Sequence, residues 1–165
     1  MKVLFDTCVV VDILARGRFF ADSFAAYDVA LFKKMDVCLS VSSTTDIVYL
    51  LHARASVSKA AAREAARQLV DLFDVIDNTE TDIRRASESD MPDYEDALIA
   101  YAALRNGVDF IVTRNAKDFA KSPVSVMEPG EFVRLFKPSC LNYEEVPLPE
   151  IEEEIPDCVS CNEAD

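Results

Sequence analysis

Apolar residues follow two rhythms along this chain. Short continuous runs occur at 2–6 (KVLFD), 37–41 (VCLSV), 74–78 (DVIDN), 109–113 (DFIVT) and 124–127 (VSVM). Runs of that length, bounded by polar residues, predict buried strands. Between them the apolar positions recur at helical spacing. In 22–35 (DSFAAYDVALFKKM) they fall at 24, 25, 29, 31, 32 and 35, close to one face, with Asp22 as the expected N-cap. Residues 8–15 suit a short helix with Thr7 near its start, and SSTTDIVYLLHARA (42–55) predicts a helix starting near Ser43 or Thr44. Residues 58–73 are rich in alanine, the best helix former, and Ser58 is a good cap. Further helices are expected around 80–88 and over 130–136. The clearest helix is PDYEDALIAYAALRNG (92–107). Pro92 suits its first turn, acids crowd its N-terminal end, and Arg105 and Gly107 mark its C-terminal end.

Strands that alternate with helices predict an α/β fold with a largely parallel sheet. The pattern stops after Pro138. We therefore expect one domain over 1–138 and a flexible acidic tail over 139–165. The tail holds nine acids and no Lys or Arg, so of the net charge of −13 only −4 belongs to the first 138 residues, with 21 acids against 17 bases. An acidic body does not favour nucleic acid in general, but a bound cation or a local basic patch reverses the local field. The acidic tail suggests a nucleic-acid mimic that lies over a basic groove. No apolar run approaches a membrane span and no basic-then-apolar leader opens the chain, so a cytoplasmic protein is expected. Of five cysteines, Cys8 and Cys38 sit in apolar contexts and are expected as buried thiols. Cys158 and Cys161 form a lone C-x-x-C, short of the four ligands of structural zinc.

The chemistry concentrates in carboxylates. In open parallel sheets, functional groups gather at the carboxyl ends of the strands. Asp6 ends the first strand, Asp46 lies early in the helix after the second, Asp93 and Asp96 start the helix before the fourth, and Asn115 and Asp118 follow that strand. Like charges so gathered repel and lose hydration, a cost that a hard divalent cation offsets through oxygen ligands. Mg²⁺ or Mn²⁺ held by three or four acids activates water and supports phosphoryl transfer. With a single histidine, His52, the chain lacks the ligand set of a zinc hydrolase. Each acid also has a plainer reading. Asp6 would cap the following helix, Asp46, Asp93 and Asp96 would complement helix dipoles, and Asp118 would be a loop acid.

These segments resemble the PIN-domain nucleases, in particular the VapC-type toxin ribonucleases. The matching pieces are LFDTCVVVDIL, SSTTDIVYLL, DYEDALIAYAALRNGVDFIVTRNAKDF and VMEPGEFV, in that order, over about residues 1–136. The resemblance implies a three-layer α/β/α fold. It implies cleavage of single-stranded RNA with Mg²⁺ or Mn²⁺, an antitoxin protein as partner, and a homodimer. The family's acids fall on Asp6, Asp46 and Asp96, with Asp93 as an extra acid and Asn115 or Asp118 completing the metal site. Thr113 would position a ligand or water, and Arg114 and Lys117 would hold phosphate. Three positions depart from the family pattern: Cys8 where Asn is common, Asp46 where Glu is common, and Asn115 where Asp is common. They motivate an alternative, a catalytically weakened PIN fold that serves as a binding or scaffold module. A phosphatase with a second Asp two residues after Asp6 is disfavoured, because that residue is Cys8. Arg54, Lys59, Arg63 and Arg67 read as ordinary surface charge, and Phe19–Phe20 as core or dimer interface.

Overall fold

The computed structural model describes residues 1–53 and 57–143. Arg54, Cys158, Cys161 and the acidic stretch from residue 144 lie outside the described residues. Five strands form one sheet in the order β3-β2-β1-β4-β5, with all four pairings parallel: β1 (Lys2–Phe5), β2 (Asp36–Ser40), β3 (Asp74–Ile76), β4 (Phe110–Val112) and β5 (Ser125–Met127). Helices α1 (Thr7–Ala15) and α2 (Phe20–Phe32) link β1 to β2. Helices α3 (Val41–Ala53) and α4 (Lys59–Leu72) link β2 to β3, α5 (Glu80–Ser87) and α6 (Tyr94–Arg105) link β3 to β4, and α7 (Pro129–Phe136) follows β5.

Strand periodicity builds the layers. Side chains alternate across a sheet, so Val3 and Phe5 enter one core while Leu4 enters the other, as Val37 and Leu39 do opposite Cys38. The first core is closed by α1, α2, α3, α4 and α7, and the second by α5 and α6. The fold is thus three-layered α/β/α. Phe5 anchors the larger core, with edge-on contacts to Tyr27 and Phe132 and a tilted one to Phe73. Aromatic pairs of this kind contribute about 0.5–1.5 kcal/mol each beyond area burial.

Several boundaries differ from the sequence pattern. Helix α2 starts at Phe20, which puts Asp22 in its first turn rather than at its cap. Helix α3 starts at Val41, directly after β2, and the expected cappers are inside it. Thr44 and Thr45 donate back to the carbonyls of Val41 and Ser42 (2.6 and 2.8 Å), a local bond open to hydroxyl side chains within a helix. Pro92 precedes α6, whose cap is Asp93. Ser58 caps α4 as expected, accepting from the Ala61 amide at 3.2 Å. Gly107, at φ +67°, takes the left-handed turn that ends α6 and leads to β4.

Candidate functional site: an acidic edge of the sheet

Parallel register brings the first pieces together. Phe5 pairs with Val112, so the next residues, Asp6 and Thr113, emerge side by side at the carboxyl edge. The Asp6 amide still donates to the Val112 carbonyl, and the Thr113 amide to that of Met127 (both 3.0 Å). Asp6 is only 5% exposed. Its Oδ1 accepts the Thr7 amide at 2.6 Å, which makes it the N-cap of α1. Its Oδ2 accepts the Thr113 hydroxyl at 2.6 Å and the Cys8 thiol at 3.1 Å. The capping role and the strand-end role thus coincide in one residue. Burial pushes the Asp6 carboxyl above its ordinary range, against the lowering effect of its three donors and the nearby Arg114 charge. Cys8 is half-buried rather than buried; burial and the adjacent Asp6 charge push its thiol far up, so it serves as a neutral donor.

The remaining acids come from two helices and a loop. Asp93 caps α6 through Oδ1, accepting from the Glu95 amide (2.8 Å) and the Asp96 amide (3.1 Å). That turn sets Asp96 toward Asp6. The Asp96 carboxyl is pushed up to about 8, first by burial, then by the charges of Asp6, Asp93, Asp118 and Glu95. Glu95 is exposed as a residue, yet its carboxyl is pushed up to about 7, first by partial loss of solvent, then by the charge of Asp46 and a hydrogen bond with its carboxyl, and then by Asp6 and Asp93. Two carboxyl groups share a hydrogen bond only when one keeps a proton. Asp46, on α3, therefore faces α6 through Glu95, a residue that the sequence pattern did not single out. Its only signal was its place in DYED beside Asp96. On the β4 side, the Asn115 amide donates to Thr113 Oγ1 at 3.0 Å, and the Asn115 side-chain amide donates to the Asp118 carboxylate. Asp6, Asp46, Asp93, Asp96 and Asp118 thus lie within one electrostatic neighbourhood, with Thr113 and Asn115 joined to it.

The bases are arranged differently. Arg114 Nε stands 2.7 Å from Asp12 Oδ2, with only 21% and 10% of the two side chains exposed, and its guanidinium lies 4.3 Å from the centre of the Phe19 ring. That arginine, expected at phosphate, is engaged with α1 and with the residue that precedes α2. Lys117 is exposed beside Asp118. Arg67 pairs with Glu64 and Asp71 on the α4 surface, where Lys59 and Arg63 are also exposed. His52 is exposed, with Nδ1 2.8 Å from the Val57 carbonyl. A cleft of about 250 Å³ lined by Leu31, Met35, Val70 and Phe73 opens beside Asp36 and Asp74, at the starts of β2 and β3. It lies at the opposite sheet edge from the acids.

Does this donor set fit a metal? Among the described residues, no three His, Cys, Asp or Glu side chains stand assembled at ligand spacing. The chemistry of the set nevertheless suits a hard dication. Its donors are carboxylate oxygens from several elements, and their mutual repulsion adds to the burial that holds Asp96 and Glu95 up.

Residues 2–117 match the family described as the PIN domain. No curated protein matches the sequence. Among solved structures, similarity extends to a chain in VapBC2 from Rickettsia felis bound to a DNA fragment from their promoter, with 17% identity, TM-score 0.59, and coverage of 78% of this chain and 98% of that one. A toxin–antitoxin complex from Klebsiella pneumoniae gives 22% identity, TM-score 0.56, and coverage of 77% and 97%. VapBC-1 from nontypeable Haemophilus influenzae gives 14%, 0.57, and 78% and 98%. These likenesses bear on the fold.

Proposed function

Because the chain belongs to the PIN domain family, we propose that its acidic edge is the active site of a Mg²⁺- or Mn²⁺-dependent endoribonuclease that cleaves single-stranded RNA. The observation that carries this reading is Asp96, a carboxyl pushed up to about 8 by burial and by acids from the end of β1, the start of α6 and the loop after β4. Perturbed groups of this kind concentrate at functional sites.

Asp6 and Asp96 would hold the ion directly. Asp46 would bind it or orient water, and Asp93, Asn115 and Asp118 would complete the set. When bound, a hard dication supplies activated water and neutralises charge on the phosphoryl group. The chain's own residues do the rest. Three donors fix both oxygens of Asp6. Thr113 links Asp6 to Asn115. Exposed Lys117 supplies positive charge for the RNA backbone. The solved neighbours include a toxin–antitoxin complex. We extend that reading to this chain as the toxin of such a pair: a cytoplasmic homodimer silenced by an antitoxin protein.

The test is total RNA incubated with wild type and Asp96→Asn, each with Mg²⁺, Mn²⁺ or chelator. Wild type should cleave only with metal, and Asp96→Asn should lose at least about a hundredfold of the rate, as expected for a metal ligand. Cleavage that survives both chelator and Asp96→Asn would end the proposal. A second reading, an inactive binding module, draws on the Asp93 oxygen spent on capping and on Asp118 spent on Asn115. It predicts no acid-dependent Mn²⁺ binding in calorimetry and no cleavage.

A further inference from the structure

We infer that Asp12 and Arg114 form a positioning latch that fixes the loop after β4 against α1 and thereby sets Thr113, Asn115 and Asp118 relative to Asp6. The inference rests on the nuclease reading for its catalytic consequence, but its geometry stands alone. Helix α1 begins beside Asp6, and Cys8 and Asp12, four residues apart, lie on one face of it. Both receive residue 114. The Arg114 backbone amide donates to Cys8 Sγ at 3.4 Å, and its guanidinium reaches Asp12 one turn further on. Asp12 is held in turn by the Ser23 hydroxyl from α2, at 2.9 Å, and is itself buried. Phe19 supplies the flat face on which the guanidinium lies.

The ion-pair contact to Asp12, in which Nε makes no well-aligned hydrogen bond, together with the ring contact to Phe19, suits an arginine better than a lysine. A planar guanidinium offers one edge to a carboxylate and its face to a ring, whereas an ammonium is a point charge that cannot do both. The pair is largely shielded from water, so removing either partner leaves the other charge poorly compensated. The residues flanking Arg114 belong to the acidic edge: Thr113 donates to Asp6, and Asn115 donates to Asp118. The latch therefore acts through its neighbours. Arg114 is a positioning residue, and its charge is spent inside the fold, not on RNA.

Asp12→Asn is the informative variant, because it is isosteric, keeps an oxygen for Ser23 and frees the arginine. If the latch positions the site, Asp12→Asn and Arg114→Gln each weaken Mn²⁺ binding by about tenfold and lower kcat similarly, the usual scale for groups that orient a ligand shell, with KM for RNA within about twofold. The double variant then loses much less than the product of the two. If Arg114 binds phosphate instead, Asp12→Asn lowers KM and Arg114→Gln raises it, and the latch is wrong. It is equally wrong if melting temperature falls while Mn²⁺ affinity and kcat stay at wild-type values. Should Asp12→Asn not fold, Phe19→Leu removes the ring face and leaves the ion pair, with the same losses expected at smaller size. Should wild type neither bind Mn²⁺ nor cleave RNA, the nuclease reading fails and amide exchange decides the latch. The Thr113, Asn115 and Asp118 amides should then exchange faster in Asp12→Asn while those of β1 do not, and unchanged exchange overturns the latch.

Discussion

Asp96 is a carboxyl that the fold holds against its own preference. Its ordinary value is 3.8, and it is pushed up to about 8. The native state therefore binds this proton more tightly than the unfolded chain does, so stability falls as pH rises from about 4 to 8 and stays reduced above that. Asp96→Asn removes the penalty. Without metal, the variant should melt about 2–4 °C above wild type at pH 9, the equivalent of about 1 kcal/mol after solvent screening at a half-buried site. The gap should close toward pH 4. Saturating Mn²⁺ should raise wild type at pH 8 and leave Asp96→Asn nearly unmoved, a contrast that thermal melts in metal and in chelator would read directly. Asp6 and Asp96 were visible in the sequence because a charge at the end of a buried strand, or at a helix start beside another acid, needs a reason. Glu95 was not, because an acid in the first turn of a helix is adequately explained by the dipole. The partner of Arg114 was not legible for a related reason. A base beside acids in a loop looks solvated until its partner, far off in α1, is known.

Elements were legible wherever their own local signals were sufficient. Helix α4 shows its cap and its alanines, and it forms as predicted. Helix α3 starts earlier than its Ser and Thr residues imply, because β2 leads straight into it and those hydroxyls bond backward instead. The link between α5 and α6 was invisible, since it joins a helix start to a distant helix end. Buried Asp82 accepts from the Thr79 amide and hydroxyl (both 2.8 Å), which boxes the start of α5, and from Arg105 Nε at 2.9 Å, at the end of α6. Arg105 also reaches the Asp77 carbonyl and carboxylate. Burial alone would push the Asp82 carboxyl up, yet the Thr79 and Arg105 donors hold it below its ordinary range. This sign is opposite to that of Asp96. The clasp stabilises the fold at neutral pH, and its contribution is lost as pH falls through the depressed value. Asp82→Ala should cost about 2 kcal/mol in urea denaturation at pH 7, since Thr79 and Arg105 lose their acceptor. The deficit against wild type should shrink by pH 3, and a deficit constant with pH would mean that packing, not charge, holds the clasp.

At the scale of the whole molecule, the two cores set which parts of the chain the fold requires. The smaller core is closed by α5 and α6 alone, whereas the larger draws on both ends of the domain, with α1 and α2 from one side and α7 from the other. The composition break falls at Pro138, where the helical and strand patterns stop and the acids begin. The packing continues further. Leu141 and Tyr143 lie against the larger core, and the Tyr143 hydroxyl donates to Asp28 Oδ2 on α2 at 2.8 Å. The Lys137 ammonium stands 5.7 Å from the same ring. Burial, together with the Asp28 bond and charge, keeps that phenol protonated well beyond its ordinary range. Composition misses this contact because one leucine and one tyrosine among prolines and acids have no periodicity to betray them. The packed part of the chain therefore extends past Pro138, at least to Tyr143. A chain cut after Pro138 loses two half-buried apolar side chains and a hydrogen bond, about 2 kcal/mol together. It should melt about 4–8 °C below a chain cut after Tyr143. Tyr143→Phe in the longer piece should recover roughly half of that difference as a loss, since the ring stays and the bond goes. If the two pieces melt together, the Tyr143 contact carries no stability.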